Sequence, residues 1–383
     1  MMLTGPLNLL IVQGTPFCNI DCKYCYLPNR LDNHKITIKT FEKILDRIFE
    51  SNIIRDDFTI VWHAGEPLVM PVSFYEEATA LINSKNTTNY RIKQNFQSNG
   101  ILLNEEWCKF FKKNSKVVNL SLSIDGPQFI HDNQRVNRKG EGTFASVMKS
   151  VDLLRKHDIG FGVISVITDF TLDYPKEYYQ FFKCLNPKIL GMNVEEVEGN
   201  NLSSTLYSKN TTSERYTTFI GEIYNMFLSD NRQLPIREFQ QIEKFILKSK
   251  LYKNGLGQQT TPYRILAVDI DGNFSTLSPE LLGMKSAKYG NFVFGNVYEN
   301  SFEDALETEK FKSVYYDVVY GIVLCKESCQ YYNVCGGGTP SNKYSEHKSF
   351  AVTETNHCKF KFQVPMDIIL ERIEKDIALG SFS

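Results

Sequence analysis

The sequence predicts an α/β fold in which a partial (β/α)6 barrel is followed by a smaller, loop-rich domain. Over the first 200 residues, six short runs rich in β-branched side chains alternate with amphipathic helical patterns. This alternation is typical of a parallel sheet with helical crossovers. Beyond that point the alternation stops, and the C-terminal third contains many turns and a second group of cysteines. The length of 383 residues accommodates both parts.

The six predicted strands are short and mostly apolar, as buried parallel strands are. They cover residues 8–14, 58–64, 91–98, 118–125, 161–168 and 189–196. The predicted helices between them cover residues 40–51, 73–84, 105–114, 143–157 and 176–185. Six units are too few for a complete eight-stranded barrel, so a partial barrel is expected. In such folds the reactive groups gather in the loops at the C-terminal ends of the strands.

Three segments are expected along the chain. Residues 1–235 form the barrel core, residues 236–260 form a helical bridge and linker, and residues 261–383 form an auxiliary domain with a C-terminal helix. The boundary is expected near the Gly- and Thr-rich sequence KNGLGQQTTPYR. Shortly after it, Asp271 and Gly272 lie between two alternating runs, a pattern that predicts a β-hairpin.

Charge and hydropathy argue against several partner classes. The chain has 43 basic and 44 acidic side chains, a balance that indicates neither a nucleic-acid partner nor a basic membrane-binding surface. The apolar runs at residues 9–12 and 368–370 are far shorter than the ~20 residues of a membrane span. The start MMLTGPLNLL has neither a basic region nor a cleavage site, so no signal peptide is predicted and a cytoplasmic location is expected.

Nine cysteines are present, and in the cytoplasm thiols serve as metal ligands or reactive groups more often than as disulfides. Seven of them form two groups, which are Cys18, Cys22 and Cys25 near the start and Cys325, Cys329, Cys335 and Cys358 near the end. The other two, Cys108 and Cys184, fall in amphipathic helical patterns, where a small, buried apolar side chain is expected.

The first cysteine group has the spacing C-x3-C-x2-C and follows the first predicted strand. A structural zinc site normally has four ligands in paired C-x2-C or C-x2-C…H-x3-H spacing, and His34 is the one histidine nearby. Three thiolates at short spacing instead suit three corners of a 4Fe-4S cluster, whose fourth iron is left open to bind a reagent.

Together with Tyr24 beside the last cysteine, this loop resembles the cluster-binding loop of the radical S-adenosylmethionine (SAM) superfamily. Three further segments strengthen the resemblance, because each lies at the end of a predicted strand. HAGEP (63–67) resembles the family's GGEP element with Ala64 in place of the first glycine, QSNG (97–100) ends the third strand, and SIDGP (123–127) ends the fourth. The last of these continues into HDNQRVNRKGEGTF, which is also similar to the family's sequence.

The resemblance implies a TIM-like radical SAM barrel in which SAM binds along these strand ends. The residues expected to contact SAM are Tyr24, Ala64, Gly65, Glu66, Ser98, Asn99, Ser123, Asp125 and Arg135. Backbone carbonyls of the HAGEP turn and the Glu66 carboxylate are expected to face the SAM amino group. The planar Arg135 guanidinium is expected to pair with the SAM carboxylate. The three cysteines of the first group would hold the 4Fe-4S cluster that binds SAM.

The second cysteine group has the spacing C-x3-C-x5-C-x22-C, which alone leaves zinc and a 4Fe-4S cluster equally open. The glycines at 336–338 are expected to let the backbone approach the sulfurs and donate N–H groups to them. The stretch is similar to the SPASM domain of radical SAM enzymes that modify peptides, which implies an auxiliary 4Fe-4S cluster. Leu277 and Thr339 occupy positions where that domain often has further cysteines, so one auxiliary cluster is predicted.

Two segments, NVEEVEGNN (193–201) and CGGGTPSNKYSE (335–346), resemble maturases that form cyclophane crosslinks in ribosomally made peptides. This resemblance implies that a 5′-deoxyadenosyl radical abstracts a side-chain Cβ hydrogen, and that the carbon radical adds to an aromatic ring two positions away. The auxiliary cluster would accept the remaining electron, and Glu195, Glu196 or Glu198 would accept the proton. The implied partners are a ribosomally made precursor peptide and a reducing flavodoxin or ferredoxin.

Other functions remain open on the sequence alone. A maturase that forms thioether crosslinks would use the same two clusters. A sulfatase maturase is disfavoured, because such enzymes carry a catalytic aspartate where this chain has Ser278. A non-catalytic iron-sulfur electron carrier or a zinc-scaffolded binding protein would not require the SAM-site segments. No leader-binding domain is expected ahead of the first strand, because Met1 lies a few residues before it.

Overall fold

The computed structural model describes residues 4–207, 212–247 and 257–379 of the chain. Its strands are β1 (Leu9–Gln13), β2 (Phe58–His63), β3 (Ile92–Ser98), β4 (Val118–Ser123), β5 (Gly162–Ile167), β6 (Leu190–Val194), β7 (Ile265–Val268), β8 (Asn273–Thr276), β9 (Lys285–Ser286), β10 (Gly290–Asn291) and β11 (Gly295–Asn296). Nine of them form one sheet in the order β11-β8-β7-β1-β2-β3-β4-β5-β6. Strands β9 and β10 form a small separate sheet.

The helices mostly connect these strands or follow them in the C-terminal part. They are α1 (Ile38–Glu50), α2 (Val72–Lys85), α3 (Glu105–Lys113), α4 (Gln128–Gln134), α5 (Phe144–Lys156), α6 (Pro175–Leu185), α7 (Thr212–Ser229), α8 (Arg237–Leu247), α9 (Phe302–Glu307), α10 (Glu309–Ser328), α11 (Tyr332–Cys335), α12 (Pro340–His347), α13 (Asn356–Cys358) and α14 (Val364–Ala378). None of the helices in the described ranges is long and apolar enough to span a lipid bilayer.

Strands β1 to β6 lie side by side in chain order and are all parallel. Each connection between them contains at least one helix, as the alternation of patterns predicts. The six predicted strands are confirmed, and their ends differ from the predicted ends by at most two residues. The parallel core is therefore the (β/α)6 arrangement expected from the sequence, and its loops begin at the C-terminal strand ends.

A buried aromatic cluster holds α2 and α3 against the sheet. Trp62 on β2 and Phe96 on β3 contact Tyr75 of α2, with ring centroids 4.9 and 4.7 Å apart. Phe96 also contacts Trp107 of α3 at 6.0 Å. Such pairs contribute roughly 0.5–1.5 kcal/mol each beyond their buried area. The Trp62 indole N–H donates to Gln94 Oε1 at 3.0 Å, so this polar atom is also satisfied.

The C-terminal part of the chain continues the barrel sheet. Strand β7 pairs in parallel with β1 and forms an antiparallel hairpin with β8, which confirms the hairpin predicted at Asp271 and Gly272. Because β1 leads into the first cysteine loop, this hairpin is joined directly to the strand that carries that loop. The sequence pattern predicts the hairpin but not this pairing. The predicted linker lies partly outside the described residues, since these end at 247 and resume at 257.

One prediction about the single cysteines is wrong. Cys108 is buried in α3 as predicted, whereas Cys184 is exposed on α6. Helix α6 buries Tyr178, Phe182 and Leu185 against the sheet. Because successive helical residues are rotated by about 100°, the position before Leu185 faces the solvent. The amphipathic pattern is therefore confirmed, but this cysteine lies on the outer face of the helix.

Candidate active site

The first cysteine group lies in the loop that follows β1, at the C-terminal end of the sheet. Burial raises the pKa of Cys18 to about 11 and that of Cys22 to about 12. The thiol of Cys25 contributes to both shifts, so the three side chains lie close to one another. Buried thiols of this kind give up their protons when they ligate a metal.

Two side-chain N–H groups are aimed at these sulfurs. Asn99 Nδ2 lies 3.8 Å from Cys18 Sγ, and Arg135 Nη1 lies 3.6 Å from Cys22 Sγ. Donors of this kind stabilise thiolates that ligate an iron-sulfur cluster. Within the described ranges, no group of three His, Cys, Asp or Glu side chains is arranged to hold a single metal ion. The donor set, three thiols that can each bind a different iron, fits the predicted 4Fe-4S cluster.

The HAGEP turn after β2 packs against the cysteine loop. Ala64 and Gly65 both have positive φ angles, 67° and 147°. The Glu66 N–H donates to Phe17 O at 2.8 Å. A Cβ on Gly65 would lie 1.9 Å from Thr15 O, a backbone atom of the cysteine loop. Position 65 therefore requires glycine, both for its φ angle and for the close approach of the two backbones.

Replacing Gly65 by alanine is expected to displace the cysteine loop and to remove the first cluster. We expect the reconstituted Gly65→Ala protein to lose about half of its iron, because the second cysteine group is unaffected. Iron analysis and visible absorption measure this loss. Gly140→Ala is the matched control, since Gly140 also has a positive φ of 80° but has no atom within 4 Å of the position that a Cβ would take. Full iron content in Gly65→Ala would contradict the assigned role.

The Glu66 carboxylate binds groups of the protein. It accepts hydrogen bonds from Ser98 Oγ at 2.7 Å, the Asn99 N–H at 2.9 Å and the Leu68 N–H at 2.9 Å. Burial raises the pKa of Glu66 to about 7, and these donors oppose that shift. Glu66 thus ties the ends of β2 and β3 together. These three donors come from the protein, and the expected contact between this carboxylate and the SAM amino group stays a prediction.

Asp125, which follows β4, contacts both Tyr24 and Arg135. The Tyr24 hydroxyl donates to Asp125 Oδ2 at 2.6 Å, and Arg135 Nε lies 3.0 Å from the same oxygen. The Val166 N–H donates to Asp125 Oδ1 at 3.0 Å. Burial raises the pKa of Tyr24 well above its ordinary value, so the hydroxyl keeps its proton. Arg135 is buried with Asp125 and Cys22 as its partners, and its pairing with the SAM carboxylate stays a prediction.

The residues predicted to contact SAM lie together at the C-terminal ends of β1 to β4 or in the loops that follow. They are Tyr24, Ala64, Gly65, Glu66, Ser98, Asn99, Ser123, Asp125 and Arg135. Most of them are joined by the hydrogen bonds described above, and Ser123 is the half-buried last residue of β4. Their shared location follows from the parallel sheet, and the contacts with SAM itself stay predictions.

Three glutamates after β6 differ in their partners. Glu195 accepts hydrogen bonds from the Thr205 N–H at 2.7 Å and from the Thr205 hydroxyl. Glu196 lies 3.3 Å from His357 Nε2. Glu198 is 4% exposed, and its Oε1 atom is buried without a hydrogen-bond partner among the described residues. Glu195 therefore holds the loop that contains Thr205, whereas Glu196 and Glu198 do not bind that residue.

Glu196, Glu198 and Glu280 form a group that we call the acidic chamber. Burial, followed by the charges of Glu280 and Glu196, raises the pKa of Glu198 well above its ordinary value. Burial and the charge of Glu196 raise the pKa of Glu280 to about 7. Against the effect of burial, His357 and Lys361 lower the pKa of Glu196. The three carboxyl groups are therefore close enough to influence one another's protonation.

The acidic chamber neighbours residues that adjoin both cysteine groups in the sequence. On one side, burial, the chamber carboxylates and the Cys25 thiol all raise the pKa of Tyr26, which directly follows that cysteine. The Tyr26 hydroxyl lies 3.2 Å from His63 Nε2. On the other side, His357 contacts the chamber and directly precedes Cys358. The neighbours of the acidic chamber thus include one residue beside Cys25 and one beside Cys358.

Several residues of this region were not identified from the sequence. They are Tyr26, His63, Glu280, Asn342 and His357. His63 is the first residue of HAGEP and Asn342 lies within CGGGTPSNKYSE, while Tyr26 and His357 each adjoin a cysteine of a recognised group, so these motifs are the available signal. Glu280 lies in SPELL, which has no motif, and only the pairing of β7 with β1 brings it to the barrel end.

The second cysteine group is assembled from the ends of helices. Cys325 lies in the last turn of α10, Cys329 caps that helix, Cys335 ends α11 and Cys358 ends α13. After burial, Cys325 and Cys329 contribute to the raised pKa of Cys335. Cys335 in turn contributes to the raised pKa of Cys358. The four thiols of the group are therefore neighbours.

N–H donors surround the second cysteine group as well. The backbone N–H groups of Gly337 and Gly338 donate to Cys335, as predicted for this glycine-rich loop. The buried Lys343 places its Nζ atom 3.3 Å from Cys325 Sγ and 3.0 Å from Gly321 O. Four thiols with amide and ammonium donors fit a 4Fe-4S cluster whose irons are all ligated by the protein.

The fold and the site define an iron-sulfur enzyme built on a (β/α)6 core, with a three-cysteine loop at the end of the first strand. The Radical SAM superfamily model matches residues 12–182. The chain is 39% identical to the uncharacterized protein sll1766 of Synechocystis sp. over 382 residues, which cover 98% of this chain and 94% of that protein. The chain belongs to the radical SAM superfamily, whose cofactors are SAM and 4Fe-4S clusters.

Its characterised relatives include maturating enzymes. The serine-type anaerobic sulfatase-maturating enzyme of Bacteroides thetaiotaomicron is 26% identical over 364 residues, 89% of this chain and 84% of that enzyme. A structure of histidine-tagged anSMEcpe with bound AdoMet has a TM-score of 0.76 at 23% identity and covers 96% of this chain and 98% of that one. Streptococcus suis SuiB bound to its precursor peptide SuiA has a TM-score of 0.63 at 15% identity, covering 93% and 76%. Both structures share this fold.

Proposed function

We propose that this protein is a radical SAM maturase that forms a carbon–carbon crosslink, a cyclophane, in a ribosomally made precursor peptide. The observation that carries the proposal is the acidic chamber. Its carboxyl groups neighbour Tyr26, which follows Cys25, and His357, which precedes Cys358. The sulfatase-maturating relatives and the peptide-bound SuiB structure support a peptide or protein substrate.

When bound, SAM and the two 4Fe-4S clusters supply a 5′-deoxyadenosyl radical and an electron acceptor, chemistry that belongs to the cofactors. Cys18, Cys22 and Cys25 would hold the SAM-binding cluster, and Cys325, Cys329, Cys335 and Cys358 would hold the auxiliary one. The protein's own contribution is orientation. Asp125 fixes Tyr24 and Arg135 beside the first cluster, and Glu66 fixes the turn on which the cysteine loop rests.

Formation of the crosslink removes a proton from the aromatic ring, so a base must stand close to it. The Glu195 carboxylate accepts hydrogen bonds from Thr205. Glu196 contacts His357, and this contact lowers the pKa of Glu196. Burial and the charges of Glu280 and Glu196 raise the pKa of Glu198, so its carboxylate, once deprotonated, binds a proton more strongly than that of Glu196, whose pKa is lowered. We therefore assign Glu198 as the base among the three predicted candidates.

The region around β8 supports a crosslinking maturase over a sulfatase maturase. Leu277, where a cluster cysteine would be expected, is fully buried in the apolar core. Ser278 Oγ donates to Gln259 Oε1 at 2.8 Å and accepts from the Ser341 N–H at 3.2 Å. A hydroxyl held in this way does not replace a catalytic carboxylate. A thioether-forming maturase is the alternative that the product analysis below distinguishes.

The proposal extends to the setting of the enzyme. We propose a cytoplasmic location, a reduced flavodoxin or ferredoxin as the electron donor, and division of the chain into residues 1–235, 236–260 and 261–383. The near-neutral charge balance supports the absence of nucleic-acid and membrane partners.

Anaerobic reconstitution with iron and sulfide tests the enzyme class. We expect about eight iron atoms per chain, as two 4Fe-4S clusters require, and formation of 5′-deoxyadenosine from SAM after reduction. Binding of zinc without SAM cleavage would contradict the proposal and favour a scaffold protein. The peptide substrate is then sought among short open reading frames beside the gene.

A further inference from the structure

Lys343 places a buried ammonium group beside the second cysteine group. The residue lies in α12 and is 3% exposed. Its Nζ atom donates to Cys325 Sγ at 3.3 Å and to Gly321 O at 3.0 Å. Among the described residues these two atoms are its hydrogen-bond acceptors, and neither is a carboxylate oxygen. A buried charge needs a partner of opposite charge, and the thiolates of this cysteine group are the partner that the fold provides.

The surroundings of Lys343 keep water away from its side chain. Val318, Ile322 and Phe350 line a small space beside it, and this space has no room for a water molecule. Charges in such surroundings interact strongly, because neither water nor dissolved salt screens them well. The Lys343 charge therefore acts on the cysteine group more strongly than an exposed lysine at a similar distance would.

Gly321 in α10 makes room for the ammonium group. A Cβ at this position would lie 3.2 Å from Lys343 Nζ and 2.1 Å from Phe350 O. Glycine is a poor helix former, yet Gly321 lies inside the 20-residue helix α10. The helix thus gives up some of its intrinsic stability at the place where Lys343 and the Phe350 backbone come close to it.

The charge of Lys343 bears on the redox state of a cluster in this group. A 4Fe-4S core held by four thiolates has a net negative charge, and reduction by one electron adds to that charge. A fixed positive charge beside a ligand sulfur stabilises the reduced form more than the oxidised form. We propose that Lys343 raises the reduction potential of the auxiliary cluster and so makes it an electron acceptor. Lys343 acts through Cys325 in this role and does not touch the substrate.

This inference rests on the proposed function for the source of the electron. After the carbon radical of the peptide has added to the aromatic ring, the adduct loses one electron and one proton to give the product. The electron goes to the oxidised auxiliary cluster, which is reduced by one electron, and the proton goes to Glu198. Because Lys343 stabilises the reduced cluster, it favours this transfer.

A redox titration followed by electron paramagnetic resonance tests the proposal on the full-length, reconstituted protein. The triple alanine variant of Cys18, Cys22 and Cys25 is the background, because its signal then comes from the auxiliary cluster alone. At the potential that half-reduces this background protein, Lys343→Met is expected to lower the ratio of reduced to oxidised cluster at least tenfold. A tenfold change corresponds to about 59 mV for a one-electron couple.

Two further variants separate the effect of charge from that of shape. Lys326 directly follows Cys325, but its side chain is exposed. Lys326→Met is therefore the matched control and should change the ratio less than twofold. Lys343→Arg keeps the charge and should stay within threefold of the background protein. Methionine has nearly the length of lysine, so Lys343→Met should keep about four iron atoms per chain.

Several outcomes would overturn the proposal. They are an unchanged ratio in Lys343→Met, an equal decrease in Lys326→Met, and an equal decrease in Lys343→Arg. If Lys343→Met loses the auxiliary iron, Lys343→Arg decides in its place, because retained iron supports the role of the charge, whereas loss in both variants assigns the role to shape. The titration uses neither SAM nor peptide. A thioether product would therefore contradict the proposed crosslink but leave this inference standing, and cyclophane formation with an unchanged ratio would do the reverse.

Discussion

Replacing Cys18, Cys22 and Cys25 together by alanine is expected to abolish 5′-deoxyadenosine formation. The three thiols form a group with N–H donors on Cys18 and Cys22, and no other described cysteine lies in this loop. Without thiolates the SAM-binding cluster has no ligands from the protein. We expect SAM cleavage to fall to the background of the assay and the iron content to fall by about half.

Cys184→Ala is the control for this prediction. Cys184 is exposed on α6 and lies outside both cysteine groups, so its loss should change neither iron content nor SAM cleavage. Quadruple replacement of Cys325, Cys329, Cys335 and Cys358 completes the comparison, because it should remove the other half of the iron. A triple variant of the first group that still cleaves SAM would show that the radical-initiating site has been assigned to the wrong cysteines.

Glu198→Gln is expected to separate SAM cleavage from crosslinking. Glutamine has nearly the same shape as glutamate and can occupy the same buried position, so the fold should be retained. It cannot accept a proton at neutral pH. We expect the rate of crosslinked product formation to fall by about 10²- to 10⁴-fold, the usual effect of losing a general base. Formation of 5′-deoxyadenosine should stay within a few fold of the unmodified enzyme.

Liquid chromatography with mass detection measures both products in one reaction. Glu299→Gln, an exposed glutamate of the C-terminal part, is the matched control and should leave both rates unchanged. Loss of SAM cleavage in Glu198→Gln would assign this residue to the SAM site instead. Undiminished crosslinking would exclude it as the base and return attention to Glu196.

The parts of this protein that could be predicted are those with local signals. Buried parallel strands are short and apolar, so the six core strands were found with errors of at most two residues. The residues that end them, from HAGEP to SIDGP, then had to lie at one edge of the sheet, because parallel strands share their C-terminal side. Cysteine spacing identified both cysteine groups, since cluster ligands recur at short, fixed separations.

The parts that could not be predicted depend on contacts between distant segments. The acidic chamber joins residues after β6 and after β8, its neighbour Asn342 lies in α12, and no periodicity in the sequence links these segments. The partners of Glu66 are a further example. Its motif does not indicate the N–H and hydroxyl groups that donate to its carboxylate, which come from Leu68 and from the end of the next strand. Cys184 is a third example. A difference of one position along a helix decides whether a side chain faces the core or the solvent, and Cys184 faces the solvent.

Tandem mass spectrometry of a co-expressed precursor peptide is the most direct test of the proposed reaction. The peptide is expected to lose the mass of two hydrogens, to retain every alkylatable cysteine, and to resist fragmentation between an aromatic residue and the residue two positions away. Nuclear magnetic resonance of the purified product should then show a bond from a side-chain Cβ to an aromatic carbon. A product in which a cysteine has lost its reactivity toward alkylation, or one with a formylglycine residue, would contradict the assignment as a cyclophane-forming maturase.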